Sequence, residues 1–410
     1  MSDPSTLLWN YEKLGHIHIE LSSHCNAACP NCPRFWCHTE IVQPELELTS
    51  ITFDQFRTWF PIETIKKIKR WIFCGTNGDP MMAKDVYEIL EYIVNNSDAS
   101  IQLNTNGGTR STAFWTKLGN LFSSSHPDIL RYVIFSVDGL EDTNHIYRRN
   151  VKWSTVWNNM QAYAATGAQS QWDFLIFKHN EHQLAEAEEL SKQIGISVFA
   201  PKRALGFETG VPGEHKNMIV RDKEGNFLYW IEPPSQEYRN VQAPLVFKDE
   251  ATHKLETPKH KTTKEEKINF LMYNVDRHKD YTFPEHHKNK TIQCKSIERY
   301  GMEIYVDSTG NVMPCCYVGT WFNANYSNPE AVQLQKSIYD WGHDKINLKT
   351  NPLKEILDSG YLDRTFRDKW ESAPEAERMT YCFDICGLKN ETRDNSVDRI
   401  YISNSGAGRF

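Results

Sequence analysis

The segment HCNAACPNC at residues 24–32 contains three cysteines in the pattern C-x3-C-x2-C, directly after a short apolar run at residues 17–21. Thiolates are soft ligands that suit iron–sulfur clusters and zinc. Three thiolates on one tight loop leave the fourth position of a tetrahedral or cubane site open. An open position is typical of a catalytic metal site, because structural sites are normally closed. The spacing alone also allows a three-cysteine zinc loop or buried structural thiols.

Composition narrows the class of protein. The chain has 410 residues, enough for two or three domains or for one large barrel with an appendage. A net charge of −7 argues against a general nucleic-acid binder. The sequence shows no signal peptide at residues 1–12 and no apolar run that approaches the roughly 20 residues needed to span a bilayer. Ten cysteines in such a chain predict metal or redox chemistry in a reducing compartment, the cytoplasm, without a membrane partner.

Six short apolar runs alternate with helical patterns in the first half of the chain. The runs predicted to be strands are residues 17–21, 71–74, 101–104, 132–137, 174–177 and 196–200. Near-continuous apolar runs of this length favour strands that are buried on both faces of a parallel sheet.

Amphipathic helices are predicted between these strands. An apolar stripe covers residues 86–93, a capping box at Thr52 and Gln55 begins an earlier helix, and a third helix at residues 184–194 ends near Gly195. Strands that alternate with helices imply right-handed βαβ units, and six of them fit an open (β/α)6 barrel.

Three predicted strands end in polar turns, and in barrels the chemistry gathers at the carboxyl ends of the strands. The second strand is followed by CGTNGDP at residues 74–80, the third by NTNG at 104–107 and the fourth by SVDG at 136–139. Each turn alone is ordinary, but their order behind the cysteine loop is informative. The candidate site residues in them and downstream are Gly78, Asp79, Pro80, Asn104, Asn106, Ser136, Asp138 and Arg148.

The cysteine loop with these three strand ends in this order resembles the radical S-adenosylmethionine (SAM) enzymes. The resemblance implies a partial (β/α)6 barrel in which Cys25, Cys29 and Cys32 hold a [4Fe-4S] cluster, while the amino and carboxylate groups of SAM chelate the fourth iron. The chain departs from the family pattern at Asn31, where the family usually has an aromatic residue.

The resemblance also implies how SAM is held. Residues 74–80 are similar to the family's Gly-Gly-Glu-Pro stretch, which receives the ammonium group of SAM, and Asp79 keeps the charge of the family's glutamate. Residues 104–107 are similar to a turn below the cofactor. Ser136 and Arg148 match the serine and arginine that meet the carboxylate and ribose of SAM, a role that suits a guanidinium because it binds carboxylates bidentately.

Residues 201–290 have a different character, with repeated glycines and prolines and many lysines and histidines. One interpretation is a solvated, partly flexible connector, because low hydrophobicity favours disorder. The other is a lid or substrate-docking insert over the barrel mouth, anchored by Trp230, Ile231 and the apolar run at residues 270–273.

A second group of cysteines follows this segment. Residues 303–313 read as a hairpin around a turn at 307–310, which would bring Cys294 and Cys315 to the same end. With Cys382 and Cys386, this layout resembles the C-terminal SPASM or shorter twitch domain of many radical SAM enzymes. The resemblance implies one auxiliary [4Fe-4S] cluster on these four cysteines, since five cysteines here are too few for the two clusters of a full SPASM domain. Zinc is the chief alternative ligand for four thiolates.

The other cysteines and a neighbouring histidine are given ordinary roles. Cys316 and Cys74 are predicted to be buried, Cys37 to fill space, and His24 to be a solvent-exposed loop residue.

The sequence therefore predicts three segments: a radical SAM core at residues 1–200, a polar insert at 201–290 and a SPASM/twitch-like domain at 291–410. The resemblance implies reductive cleavage of SAM to a 5′-deoxyadenosyl radical, which abstracts hydrogen from a peptide or protein side chain, with an auxiliary cluster in electron transfer. It also implies an external electron donor such as flavodoxin or ferredoxin. The alternatives left open are a small-molecule substrate (a sugar, aminoglycoside or nucleotide precursor) and a non-catalytic iron–sulfur or zinc protein. Hydrogen abstraction requires no acid–base side chain, so no catalytic residue is predicted, and oxidoreductase and transferase chemistry both stay open.

Overall fold

The computed structural model describes residues 6–124, 128–207, 216–239, 254–258, 261–288, 290–298, 301–323, 328–370 and 378–389. Its strands are β1 (Leu14–Ile19), β2 (Arg70–Phe73), β3 (Ser100–Thr105), β4 (Arg131–Ser136), β5 (Gln169–Ile176), β6 (Val198–Arg203), β7 (Met218–Arg221), β8 (Phe227–Ile231), β9 (Lys290–Ile292), β10 (Met302–Val306), β11 (Val312–Met313) and β12 (Gly387–Lys389). Its helices are α1 (Phe53–Trp59), α2 (Ile62–Lys67), α3 (Val86–Asn96), α4 (Thr112–Ser123), α5 (Asn144–Tyr147), α6 (Trp153–Ala164), α7 (Leu184–Gln193), α8 (Lys264–Arg277), α9 (Lys295–Glu298), α10 (Cys316–Asn323), α11 (Pro329–Trp341), α12 (Leu353–Asp358), α13 (Tyr361–Thr365) and α14 (Thr380–Cys386).

The main sheet has eight strands in the order β11-β10-β1-β2-β3-β4-β5-β6. Strands β1 to β6 are parallel neighbours in chain order, with helices in the connections between them. This arrangement confirms the predicted partial (β/α)6 barrel. Strand β10 pairs in parallel with β1, so the C-terminal part of the chain extends the barrel sheet.

The two faces of the sheet differ in polarity. In β3 the apolar Ile101 and Leu103 are fully buried, while Gln102 and Asn104, which alternate with them, are only partly buried. The same alternation places His16 and His18 of β1 opposite the apolar core. The predicted burial on both faces is confirmed for β1, whereas the second face of β3 carries polar groups and is only partly buried.

The local signals for helices were read correctly. The Thr52 side chain accepts a hydrogen bond from the backbone N–H of Gln55, and the Gln55 side chain accepts from the N–H of Thr52, so α1 begins with the predicted capping box. The apolar stripe of α3 is buried, and α7 is followed by Gly195 in the left-handed region with a φ of 85°.

The described residues of the 201–290 segment contain more regular structure than the connector interpretation implies. Strands β7 and β8 form an antiparallel pair, and α8 begins with a capping box between Thr263 and Glu266. On α8, Leu271 is buried, whereas Met272 and Tyr273 are exposed. A largely polar helix with a narrow apolar stripe explains why hydrophobic periodicity did not reveal it. Residues 208–215 and 240–253 of this segment lie outside the described residues.

The C-terminal region packs back on the sheet. Strands β10 and β11 form the predicted hairpin, in which the carboxylate of Asp307 accepts hydrogen bonds from the turn backbone. The start of the chain is held here too, because the carboxylate of the buried Asp363 accepts the backbone N–H groups of Leu8 and Trp9. Within the described residues, no helix is both long and apolar enough to cross a membrane.

Candidate active site

The three cysteines of the first loop and the three predicted strand ends meet in one cavity of about 160 Å³. Its wall is formed by Cys25, Ala27, Cys29, Cys32, residues 74–79, residues 104–106, Ser136 and Arg148. Among the predicted site residues, Pro80 and Asp138 lie outside this wall. The parallel sheet explains the convergence, because the carboxyl ends of neighbouring strands lie at the same edge.

Nitrogen donors surround two of the thiols. Arg148 Nη1 lies 3.6 Å from the Sγ of Cys29, and Asn106 Nδ2 lies 3.7 Å from the Sγ of Cys25, which also accepts from the backbone N–H of Ala27 at 3.4 Å. Donors placed on cysteine sulfurs stabilise the thiolate form and tune the clusters that thiolates hold.

Burial is the main electrostatic influence on these cysteines. It raises the pKa of Cys25 and Cys29 above the usual value and that of Cys32 to about 12. Bound metal must therefore displace the thiol protons, as is general for cysteine sites. Across the described ranges, no three His, Cys, Asp or Glu side chains converge as the ligands of a single metal ion would.

Asp79 is buried in the wall, and its carboxylate is already bound by the protein. The Thr105 hydroxyl donates to both oxygens, at 2.9 and 3.0 Å. The backbone N–H of Met81 donates to one oxygen and that of Asn106 to the other, at 2.9 and 2.8 Å. Burial raises the pKa of Asp79, and these hydrogen bonds oppose the rise. Since a carboxylate has about four acceptor sites, the observed role of Asp79 is to join the second strand end to the third.

Arg148 and Asp138 form a buried ion pair beside the cavity. Arg148 Nε donates to Asp138 Oδ2 at 2.6 Å, and the backbone N–H of Leu175 donates to the other oxygen at 2.7 Å. Burial alone would lower the pKa of Arg148, but the adjacent Asp138 carboxylate raises it above its usual range. Asp138 therefore orients the guanidinium, whose Nη1 reaches Cys29.

The turn after β2 lies against the start of the cysteine loop. The backbone N–H of Asp79 donates to the carbonyl of His24 at 2.8 Å, and a Cβ on Gly78 would lie 1.9 Å from the carbonyl oxygen of Ser22. Glycine at position 78 is required by this close approach. Pro80 then begins the short turn that follows.

Three further residues support this turn and were missed in the sequence. Glu20 and Tyr305 are almost fully buried behind it, and Arg34 donates to the carbonyl of Asn77 at 3.0 Å. A carboxylate within the first apolar run was a signal for Glu20. Arg34 and Tyr305 had no local signal, because their contacts span long stretches of sequence.

The four C-terminal cysteines also share a cavity, of about 30 Å³, with an apolar wall that includes Trp370 and Tyr381. It is lined by Cys294, Cys315, Cys382 and Cys386. The predicted proximity of Cys294 to Cys315 is thus confirmed. The Cys294 thiol is hydrogen-bonded to the hydroxyl of Ser296 at 3.1 Å.

The remaining predictions have mixed outcomes. Cys316 is partly buried against the core, as predicted, but Cys74 lines the active-site cavity. Cys37 is exposed and has a positive φ of 45°, so it does not fill core space. His24 is partly buried.

No family model and no curated protein matches the sequence. Among solved structures, the chain is similar to Streptococcus suis SuiB bound to S-adenosylmethionine, at 12% identity over 74% of this chain and 60% of that one, with a TM-score of 0.42. It is also similar to anSMEcpe with bound AdoMet and Cp18Cys peptide, at 11% identity over 90% of this chain and 96% of that one, with a TM-score of 0.43. The chain thus spans about 60% of the length of SuiB.

Proposed function

We propose that this chain is a radical SAM enzyme whose Cys25, Cys29 and Cys32 hold a [4Fe-4S] cluster and whose adjoining cavity binds SAM. The observation that carries the proposal is that the three thiols and all three strand ends border the same cavity. A structural zinc loop would have no need of this shared wall.

The donor set fits such a cluster. Three soft thiolates suit iron, and three are one fewer than a closed four-cysteine site requires. Hydrogen-bond donors from Arg148, Asn106 and Ala27 already point at two of the sulfurs. The cluster would supply the electron that cleaves the sulfonium of SAM to methionine and a 5′-deoxyadenosyl radical.

The chain's own residues would bind and orient SAM. The Arg148 guanidinium, oriented by Asp138, offers a charged donor for the methionine carboxylate, and Ser136 offers a hydroxyl in the same wall. Residues 75–78 lie in the same wall and would offer backbone groups to the amino group.

We infer that Cys294, Cys315, Cys382 and Cys386 ligate one auxiliary [4Fe-4S] cluster in a twitch-like domain. Their common apolar cavity supports a single shared site. Four cysteine ligands leave no open iron, so electron transfer is the role that this ligand set favours. Zinc bound by the same four residues is the competing outcome.

The substrate that we propose is a peptide or protein side chain. A second cavity, of about 600 Å³, borders the outer side of the cysteine loop and includes Cys32 in its wall. It is lined by Phe35, Trp36 and His38 of the loop and by Thr262 and Phe270 of the 201–290 segment. Its volume is in the range of ligand-binding cavities, and the contribution of Phe270 supports a docking role for the insert. A small-molecule substrate (a sugar, aminoglycoside or nucleotide precursor) is the alternative.

The remaining parts of the proposal follow from this chemistry. A core at residues 1–200, an insert at 201–290 and an auxiliary-cluster domain at 291–410 would act together, with β10 of the last region pairing with β1 of the first. The electron would come from a donor such as flavodoxin or ferredoxin, and oxygen-sensitive clusters suit the reducing cytoplasm.

The proposal is tested on anaerobically purified and reconstituted protein. Two four-iron clusters predict about eight irons per chain and release of 5′-deoxyadenosine when SAM and dithionite are added. The Cys29→Ala variant should keep about four irons and should release no 5′-deoxyadenosine. A colourless protein that contains zinc would refute the proposed enzymatic function. A protein that carries both clusters but leaves SAM intact would indicate an electron carrier.

A further inference from the structure

Asn77 is a polar side chain in the cavity wall that the family pattern does not explain, since the resembled motif has glycine at this position. Its side chain is buried, at 4% exposure. Among the described residues, its Nδ2 has no hydrogen-bond partner. A buried donor without a partner is costly, and native proteins rarely keep one without a reason.

The backbone of Asn77 is fixed on both sides. Its N–H donates to Glu20 Oε1 at 2.6 Å, and its carbonyl accepts from Arg34 Nη1 at 3.0 Å. The turn that holds it is tight, because a Cβ on Gly75 would lie 1.9 Å from the carbonyl oxygen of Gly78. The main chain therefore cannot easily rotate to give the amide another partner.

Glu20 is itself held from a distant part of the sequence. Its Oε2 accepts the hydroxyl of Tyr305, in β10, at 2.8 Å. Glu20 is 1% exposed and does not border the cavity, so it acts on the site only through the turn. A strand supplied by the C-terminal region thus supports the placement of Asn77.

We propose that Asn77 is a SAM-binding residue, whose side-chain amide donates a hydrogen bond to an oxygen of the bound cofactor, and that Glu20 is the positioning residue that holds it there. The inference rests on the proposed function, because SAM is the ligand of this cavity. SAM offers carboxylate and ribose oxygens as acceptors, and the amide offers a donor whose partner is missing without the ligand. Bound SAM would thereby supply the hydrogen-bond acceptor that the Asn77 amide lacks within the protein.

The test compares SAM binding by the reconstituted wild type and by Asn77→Ala, using calorimetric titration under anaerobic conditions. Loss of one hydrogen bond to SAM predicts about a tenfold rise in the SAM dissociation constant. The thermal unfolding midpoint without SAM should stay the same or rise, because the deleted donor had no partner. A purely structural asparagine would show the reverse, with a lower midpoint and unchanged SAM affinity.

Asn10 provides a matched control, because it is also 4% exposed but its amide donates to the carbonyl of Leu7. Asn10→Ala should lower the midpoint and leave SAM binding unchanged. Glu20→Gln should weaken SAM binding, and the loss in the double variant with Asn77→Ala should be smaller than the sum of the two single losses, because part of the effect of Glu20 passes through Asn77. If alanine impairs folding, the test is repeated with Asn77→Gly, which introduces the glycine that the family has at this position.

Wild-type SAM affinity in both Asn77 variants would overturn the inference, and so would fully additive losses in the double variant. The proposed function would still stand if the wild type releases 5′-deoxyadenosine. A wild type that binds no SAM at all would overturn both.

Discussion

Replacing Asp138 with asparagine isolates the buried ion pair beside the cavity. Both oxygens of Asp138 face N–H donors, Arg148 Nε at 2.6 Å and the backbone N–H of Leu175 at 2.7 Å. An amide of the same shape has one acceptor and one donor group, so its NH2 must face one of these N–H groups. The change therefore creates a donor–donor conflict and leaves the Arg148 charge buried without its partner.

The expected loss is large because the pair is largely shielded from water. Asp138 has a fully buried side chain, and that of Arg148 is 17% exposed. Removing one partner of a buried pair costs about 3–5 kcal/mol. We therefore expect Asp138→Asn to lower the free energy of unfolding by about 3 kcal/mol and to weaken SAM binding by tenfold or more, because the guanidinium loses its orientation.

Urea unfolding and SAM titration measure these two effects. The matched control is Asp54→Asn, which breaks the exposed pair between Arg57 and Asp54 at 3.0 Å. Exposed pairs contribute little, so this variant should behave as the wild type in both assays. If Asp138→Asn unfolds at the wild-type urea concentration and binds SAM normally, the orienting role of Asp138 is wrong.

Three further changes have separate readouts. Gly78→Ala places a methyl group against the Ser22 carbonyl, so iron content should persist while SAM affinity falls at least tenfold; retained affinity would show that the turn can move. The double variant Cys382→Ala with Cys386→Ala should lose about four irons but still cleave SAM when dithionite is added. Unchanged iron content would show that these two cysteines do not ligate a cluster. Burial raises the pKa of Glu20 from 4.5 to about 7, so the folded state binds this proton more tightly than the unfolded state does. The free energy of unfolding should therefore fall by about 3 kcal/mol as the pH rises from 4.5 to about 7. Glu20→Gln should flatten that decline in urea unfolding, and an unaltered pH profile would contradict the assignment.

Local patterns predicted much of this protein. The capping box at Thr52, the apolar stripe of α3 and the cysteine loop each depend on residues a few positions apart, and the structure reproduces them. The order of the strand ends then predicted that Asn106 and Ser136 border a common cavity, since parallel strands align their carboxyl ends.

Contacts that are distant in sequence were not predictable from pattern. Tyr305 reaches Glu20 across 285 positions, and Arg34 reaches the turn after β2 only because the cysteine loop folds over it. The occupied carboxylate of Asp79 was also hidden, because its partners lie on the next strand end. Polar residues on one face of a strand look like interruptions in an apolar run, which explains why the second face of β3 was misjudged.

The proposed function requires that the protein leave one corner of a four-iron cluster for SAM. Pulsed electron–nuclear double resonance on the reduced, reconstituted protein tests it most directly, with SAM labelled with nitrogen-15 in its amino group. A coupling between the cluster spin and the labelled nitrogen is the predicted result. Its absence from a fully loaded, SAM-saturated sample would show that SAM does not occupy that corner, and the proposed chemistry would fail with it.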